Sequence, residues 1–169
     1  KLAAQGVHAI ALPANEHTKS LDEIGAVIVK LREAGANRGS HLWAVGGGVI
    51  QDVAGFVSSI YMRGISWTYL PTTLLGMADS CIGGKSSINV GAYKNIVGTF
   101  NVPQTVLIDP SLTATLSAEQ RVAGLVEAAK ICFCRDNETF ARYMALSPTV
   151  GMAAEAFEPV MGLSLGAKK

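Results

Sequence analysis

The sequence predicts an α/β fold, a parallel sheet flanked by helices, followed by the start of an α-helical domain. Three observations lead there. Short apolar runs alternate with segments of helical periodicity up to residue 116, the pattern of strands joined by crossover helices. Glycines or threonines follow two of these runs directly, in "WAVGGG" and "TYLPTT", where open α/β sheets place their ligand crevice. From Ser117 onward the segments read as helical. The arrangement is Rossmann-like, with an α/β unit over 1–116 and the beginning of a helical unit over 117–169.

The elements follow in order. "VHAIALP" reads as a short buried strand stopped by Pro13. The next segment, "SLDEIGAVIVKLREAG", reads as a helix. Ser20 and Glu23 have capping-box spacing, Ile24, Val27, Ile28 and Leu31 share a face, and Gly35 suits the stop. "HLWAVGGG" is a strand running into glycines, and "VIQDVAGFVSSIYMRG" the helix after it. "ISWTYLP" is a strand, "TLLGMADS" a short helix, and "TVLIDP" another strand. In "SAEQRVAGLVEAAKICFC", Ser117 and Gln120 form a second capping box, and Val122, Leu125, Val126 and Ala129 follow one face.

With 169 residues the chain can hold one domain with a sizeable core, or one domain plus part of another. Hydrophobic residues at 49% against 16% charged argue against disorder and against a tail-like nucleic-acid binder. The net charge of +1 gives no reason to expect nucleic acid or an acidic membrane as partner. Cys81, Cys132 and Cys134 are too few for a disulfide framework and read as ordinary thiols of a reducing compartment. No signal-peptide core or membrane span is visible, so the expectation is a cytoplasmic protein. The start, "KLAAQG", lacks Met and reads as a helix end closed by Gly6, as in a fragment that begins mid-fold.

Several residues can carry chemistry. "GGGVIQD" follows a strand and opens a helix, so a diphosphate could approach its backbone. Gln51 breaks the strict dinucleotide fingerprint, however, and a tight structural turn explains the glycines equally well. Asp52 could simply favour the helix dipole. Thr72 and Thr73 read as helix caps before phosphate ligands. In "ADSCIGGKSSINVGAYKN", Asp79, Lys85, Lys94 and Asn95 fall within a short glycine-rich span. Ammonium groups there suit a phosphorylated ligand. Glu127 and Lys130, spaced i, i+3, read first as a surface ion pair and second as a metal carboxylate beside a substrate-binding ammonium. His8, His17 and His41 all precede Glu127.

From about Pro13 to Phe140 the sequence resembles 3-dehydroquinate synthase and its sugar phosphate cyclase relatives. The resemblance rests on "GGGVIQDVAGF", "YMRG", "LPTTLLGMADSCIGGKSSIN", "KNIVGTF", "VLIDPSLTATL" and "AGLVEAAK", in that order. It implies an NAD-binding domain over 1–116 and the beginning of a metal- and substrate-binding helical domain over 117–169. By motif match, Glu16, Lys19, Gly48, Val49, Ile50, Gln51, Asp52, Thr72, Thr73, Lys85, Lys94, Leu112, Thr113, Ala114 and Thr115 fall at NAD positions. Asp79, Lys85, Asn95 and Lys130 match catalytic or substrate contacts. Arg63 matches an arginine that reaches a neighbouring subunit's site, which implies a homodimer. Glu127 matches a ligand of a catalytic zinc, or cobalt, ion.

The implied reaction takes 3-deoxy-arabino-heptulosonate 7-phosphate to 3-dehydroquinate and phosphate, in the shikimate route to aromatic compounds. NAD is regenerated in each turnover. The sequence departs from the usual pattern at "VGAY", at Gln51 and at the serines after Lys85, so another sugar phosphate cyclase is an alternative. So is an alcohol or glycerol dehydrogenase of the same superfold. Family members carry a further N-terminal section and a long C-terminal domain with two zinc histidines. The fragment alone is therefore expected to bind zinc weakly and to be inactive.

Overall fold

A computed structural model describes residues 6–168. The helix end expected at the very start of the chain lies outside them. Residues 7–13 form no strand. Among the described residues no neighbour forms a ladder with them. Val7 is 46% exposed, and only Ile10 and Leu12 pack partly against the first helices.

A 3-10 turn, Glu16–Lys19, leads into α1 (Leu21–Glu33). Ile24, Val27 and Leu31 form its buried stripe. The capping box expected at Ser20 is absent. The Ser20 N–H already donates to the His17 carbonyl (3.1 Å), so Glu23 has no N-cap donor to reach back to and instead lies 3.8 Å from His17. At the other end the stop is as expected. Gly35, at φ +82°, donates its N–H to Arg32, and Ala36 donates to Leu31, both at 3.0 Å.

The sheet is parallel. β1 (His41–Gly46) pairs along its whole length with β2 (Ser66–Pro71). Between them run α2 (Gly48–Ile60) and a 3-10 turn, Tyr61–Arg63. A short helix follows β2 and ends in a π-turn, Gly76–Ser80. Then comes an unanticipated antiparallel hairpin, β3 (Ile88–Val90) and β4 (Tyr93–Val97). Gly91, at φ +56°, opens its two-residue loop. β5 (Thr105–Val106), shorter than expected, pairs with β2 and gives the sheet order β1-β2-β5. The 3-10 segment Pro110–Thr115 leaves its carboxyl end.

Three helices complete the chain: α3 (Ala118–Arg135), α4 (Asn137–Ala145) and α5 (Glu158–Lys168). The capping box of α3 is formed in both directions, with Gln120 N–H on Ser117 Oγ (3.3 Å) and Ser117 N–H on Gln120 Oε1 (3.0 Å). Leu125, Ala128, Cys132, Tyr143, Phe157, Val160 and Met161 make a helical core, joined by Leu74, Met77 and Ala78 from the segment after β2. Gly124 permits that junction, because a β-carbon there would stand 2.6 Å from Leu74 Cβ. The helices are thereby seated on the segment that carries Asp79. Among the described residues no helix is long and apolar enough to cross a membrane.

Candidate cofactor and substrate site

The three glycines after β1 have different environments. A β-carbon on Gly46 would lie 2.5 Å from Ile50 Cγ1, and one on Gly47 would lie 2.9 Å from Thr73 Cγ2. Both are needed for close packing. At Gly48 a β-carbon would meet nothing within 4 Å. Gly47 caps α2 without a side chain, and no acidic residue stands in the first turn. No side chain caps the leading N–H groups of α2, and a helix start of this kind favours an anion. Thr73 Oγ1 accepts the Gly76 N–H (3.1 Å), so capping is its observed role. Thr72 N–H donates to Gly46 O (3.0 Å), joining the carboxyl ends of β1 and β2.

A chain of polar contacts runs from α2 to the hairpin. Lys19 Nζ lies 2.7 Å from Asp52 Oδ2, and both side chains are largely buried, at 10% and 17% exposure. Asp52 Oδ1 accepts the Ser87 N–H (2.9 Å). Ser87 Oγ stands 3.1 Å from Asp52 Oδ2 and 3.0 Å from Asn95 Oδ1, two acceptors for its hydroxyl. Asn95 sits at φ +58°, a left-handed conformation that Asn tolerates better than most residues. Its N–H donates to Asn89 Oδ1 (2.9 Å), and Asn89 Nδ2 donates to Glu16 Oε2 (3.0 Å). Glu16, Lys19, Asp52 and Asn95 are thus brought together. Ser87 and Asn89 link them, and sequence reasoning passed over both, since short polar residues in a strand carry no distinctive spacing.

Gln51 is buried. Its Nε2 donates to Ser80 O (2.7 Å) and reaches Lys85 O (3.5 Å). It therefore pins the glycine turn of Lys85 to the first turn of the helix. Gly84, at φ +60°, lets that turn approach Val102, where a β-carbon would lie 2.6 Å from backbone. Lys85, Lys94 and Asn95 are exposed. Among the described residues no carboxylate pairs with either lysine, whereas Lys168 at the end of α5 holds Asp79 (2.7 Å). Lys168 was not anticipated.

Glu127 and Lys130 form the expected ion pair. The bond to Glu127 raises the Lys130 ammonium above its ordinary pKa, and the nearby Asp79 charge adds to the rise. α3 packs on the Asp79 segment through Leu125 and Ala128, against Met77 and Ala78. Leu112, Thr113, Ala114 and Thr115 lie in the 3-10 segment beyond β5. Arg121, also missed, fixes them: its Nη2 donates to Thr113 O and Ala114 O (3.2 Å each), and its Nη1 to Val150 O and Met152 O (3.1 Å each). Arg63 is not at this end. It stands beyond the far end of the 13-residue α2, about 20 Å from Gly48 at 1.5 Å per residue. Met62 and Arg63 both adopt positive φ, at +52° and +67°.

The model of the 3-dehydroquinate synthase N-terminal family matches residues 9–123. The chain belongs to the 3-dehydroquinate synthase family. A 3-dehydroquinate synthase of Xylella fastidiosa is 45% identical over 130 residues, 77% of this chain. The chain spans 35% of that relative's length. Two solved structures are also similar. A 2-deoxy-scyllo-inosose synthase, complexed with carbaglucose-6-phosphate, NAD+ and Co2+, is 27% identical at a TM-score of 0.84, covering 96% of this chain and 44% of its own. A 2-epi-5-epi-valiolone synthase of Streptomyces hygroscopicus, with NAD+ and Zn2+ bound, is 30% identical at a TM-score of 0.83, covering 95% and 46%. The family, its α/β fold and the partial coverage are as the motifs implied.

Within this family framework, the open glycine crest at Gly48 and the uncapped α2 fit a dinucleotide diphosphate. The described residues do not by themselves fit a zinc ion. No group of three His, Cys, Asp or Glu side chains converges among them, and a catalytic zinc takes three protein ligands. His41 is bonded to Ser66 Oγ (2.7 Å) and Thr68 Oγ1 (2.8 Å), and His17 lies beside Glu23.

Proposed function

We propose that the chain is the NAD-binding part of a 3-dehydroquinate synthase, acting on 3-deoxy-arabino-heptulosonate 7-phosphate. The observation that carries the reading is one juxtaposition: the anion-ready start of α2 lies against the Lys85 turn through Gln51, and against Asn95 through Asp52 and Ser87. A dinucleotide and a phosphorylated substrate would meet there. The 45% identity to the Xylella relative supports the choice over the dehydrogenases.

In this reading Gly48, Val49 and Ile50 offer backbone N–H groups to the dinucleotide diphosphate. Thr72, Thr73 and the 112–115 segment line the neighbouring strand ends. NAD supplies hydride acceptance and return. Lys85 and Lys94 hold the substrate phosphate and stabilise its charge as the C–O bond breaks. Asn95 and Lys130 orient the substrate, and Asp79 does so once its pairing with Lys168 is exchanged for a substrate group. Glu127 is one metal ligand, to be completed by residues outside those described. We place the boundary between the cofactor domain and the helical domain at 116/117. Arg63, far from its own crevice, is placed to serve a partner's site in a homodimer. Titration of NAD into the full-length protein tests the placement: Gly48→Val should abolish binding while leaving the fold intact, and unchanged affinity would reject it.

A further inference from the structure

We propose that Asn89 is a positioning residue whose side chain builds the bulge in β4 that turns Asn95 out of the strand, beside Lys94, toward the substrate. The inference deepens the reading of Asn95 as a substrate contact and rests on it. Neighbouring residues of a regular strand point to opposite faces of the sheet. Lys94 and Asn95 are neighbours, so a regular β4 would not offer both side chains to one ligand on one face. β4 is not regular. Ile88 pairs with Val97 and Val90 with Tyr93, which leaves Asn89 alone opposite residues 94–96. Asn95 sits in that bulge at φ +58°, and residues 93–96 are all exposed, without alternation. A bulge of this kind bends the strand and re-aims a side chain.

Asn89 holds the bulge from inside. It is 8% exposed. Its Oδ1 accepts the Asn95 N–H (2.9 Å), and its Nδ2 donates to Glu16 Oε2 (3.0 Å). The partners fix which end of the amide is which, because a backbone N–H only donates and an ionised carboxylate only accepts. The Asn89 main chain also pairs with Ser20 in a parallel bridge. Asn89 is thus tied to the Glu16–Lys19 turn and its C-cap by side chain and main chain, and the bulge is tied to them through Asn89. A left-handed residue other than glycine persists only where its surroundings determine it. Here the bond from Asn95 N–H to Asn89 supplies that. Without it, β4 is free to return to alternation, which swings Asn95 away from Lys94.

The test uses the full-length protein and reads hydrogen exchange of the Asn95 backbone amide by NMR. The bond to Asn89 should protect this amide in the wild type, and Asn89→Ala should remove the protection. Protection should return when Asn89→Asp is combined with Glu16→Gln, which keeps an acceptor for Asn95 and reverses the pair at residue 16. An unprotected wild-type amide would overturn the inference, whether or not any variant folds. A kinetic arm follows. Asn89→Ala should raise KM for 3-deoxy-arabino-heptulosonate 7-phosphate about tenfold, as when the competent bulge is populated about one-tenth of the time. On an Asn95→Ala background the same change should add about twofold or less, because residues acting through one contact are not additive. An undiminished effect there, or a fall in melting temperature with KM unchanged, would reject the positioning role. If the wild type fails to turn over this substrate while its Asn95 amide is protected, the functional reading falls and the substrate role with it, but Asn89 still holds the bulge.

Discussion

Lys19 and Asp52, both matched by motif to NAD positions, are bonded to each other at 2.7 Å beneath the surface. Their first role in this structure is to join the turn before α1 to the second turn of α2. Removing one partner leaves the other charge buried and uncompensated. Asp52→Ala should therefore destabilise the fold by about 3–5 kcal/mol in urea titrations and also weaken NAD binding. The double replacement Lys19→Met, Asp52→Leu should recover much of the stability. A single Asp52→Ala variant with wild-type stability would show that the pair is not buried as described.

Gly124 tests the junction between the helical core and the site. Ala at this position would press on Leu74, 2.6 Å away. The expected cost is about 1–3 kcal/mol, typical of overpacking. Leu74→Ala should relieve part of it in a double-mutant cycle. Full additivity of the two changes would contradict the contact.

Lys85 is exposed, and its truncation opens no core cavity. Lys85→Ala in the full-length protein should lose most turnover with little change in melting temperature. Near-normal phosphate release would remove Lys85 from the site.

Alkaline pH should loosen the region under the glycine turn. Burial pushes the Cys81 thiol from its ordinary 9.0 up to about 11 and raises the buried Tyr69 phenol as well. A raised folded-state pKa stabilises fully below the unfolded value and is lost as pH rises through the folded one. Stability should be flat up to about pH 9 and fall between 9 and 11. In native protein at pH 8 iodoacetamide should label exposed Cys134 well before buried Cys81 and Cys132. Equal labelling of all three would contradict the burial.

The parallel sheet, the helices and the capping box of α3 were legible because each has a local cause: periodicity, Ser117 with Gln120, Gly35 after α1. Residues 7–13 looked like a strand by the same local evidence, but a strand needs a neighbour, and pairing is not written in the strand itself. The β3–β4 hairpin was hidden for the opposite reason. Its residues alternate weakly, and what holds it is Ser87 on Asp52 and Asn89 on Glu16, contacts 35 and 73 residues apart in sequence. Motif matching found the charged members of the site. It could not show that Asp79 is held by Lys168, or that Arg121 fastens residues 113 and 114 to the helical end, because those partners lie outside every motif.

The proposed cyclase site has its NAD and phosphate ends on this chain. Its most direct measurement is simultaneous assay of inorganic phosphate and of absorbance from reduced NAD, with the full-length protein, 3-deoxy-arabino-heptulosonate 7-phosphate and catalytic NAD. Phosphate should be released stoichiometrically with no accumulation of reduced NAD, and Glu127→Ala supplied with zinc should lose both zinc binding and phosphate release. Steady accumulation of reduced NAD from a simple alcohol, without phosphate release, would contradict it.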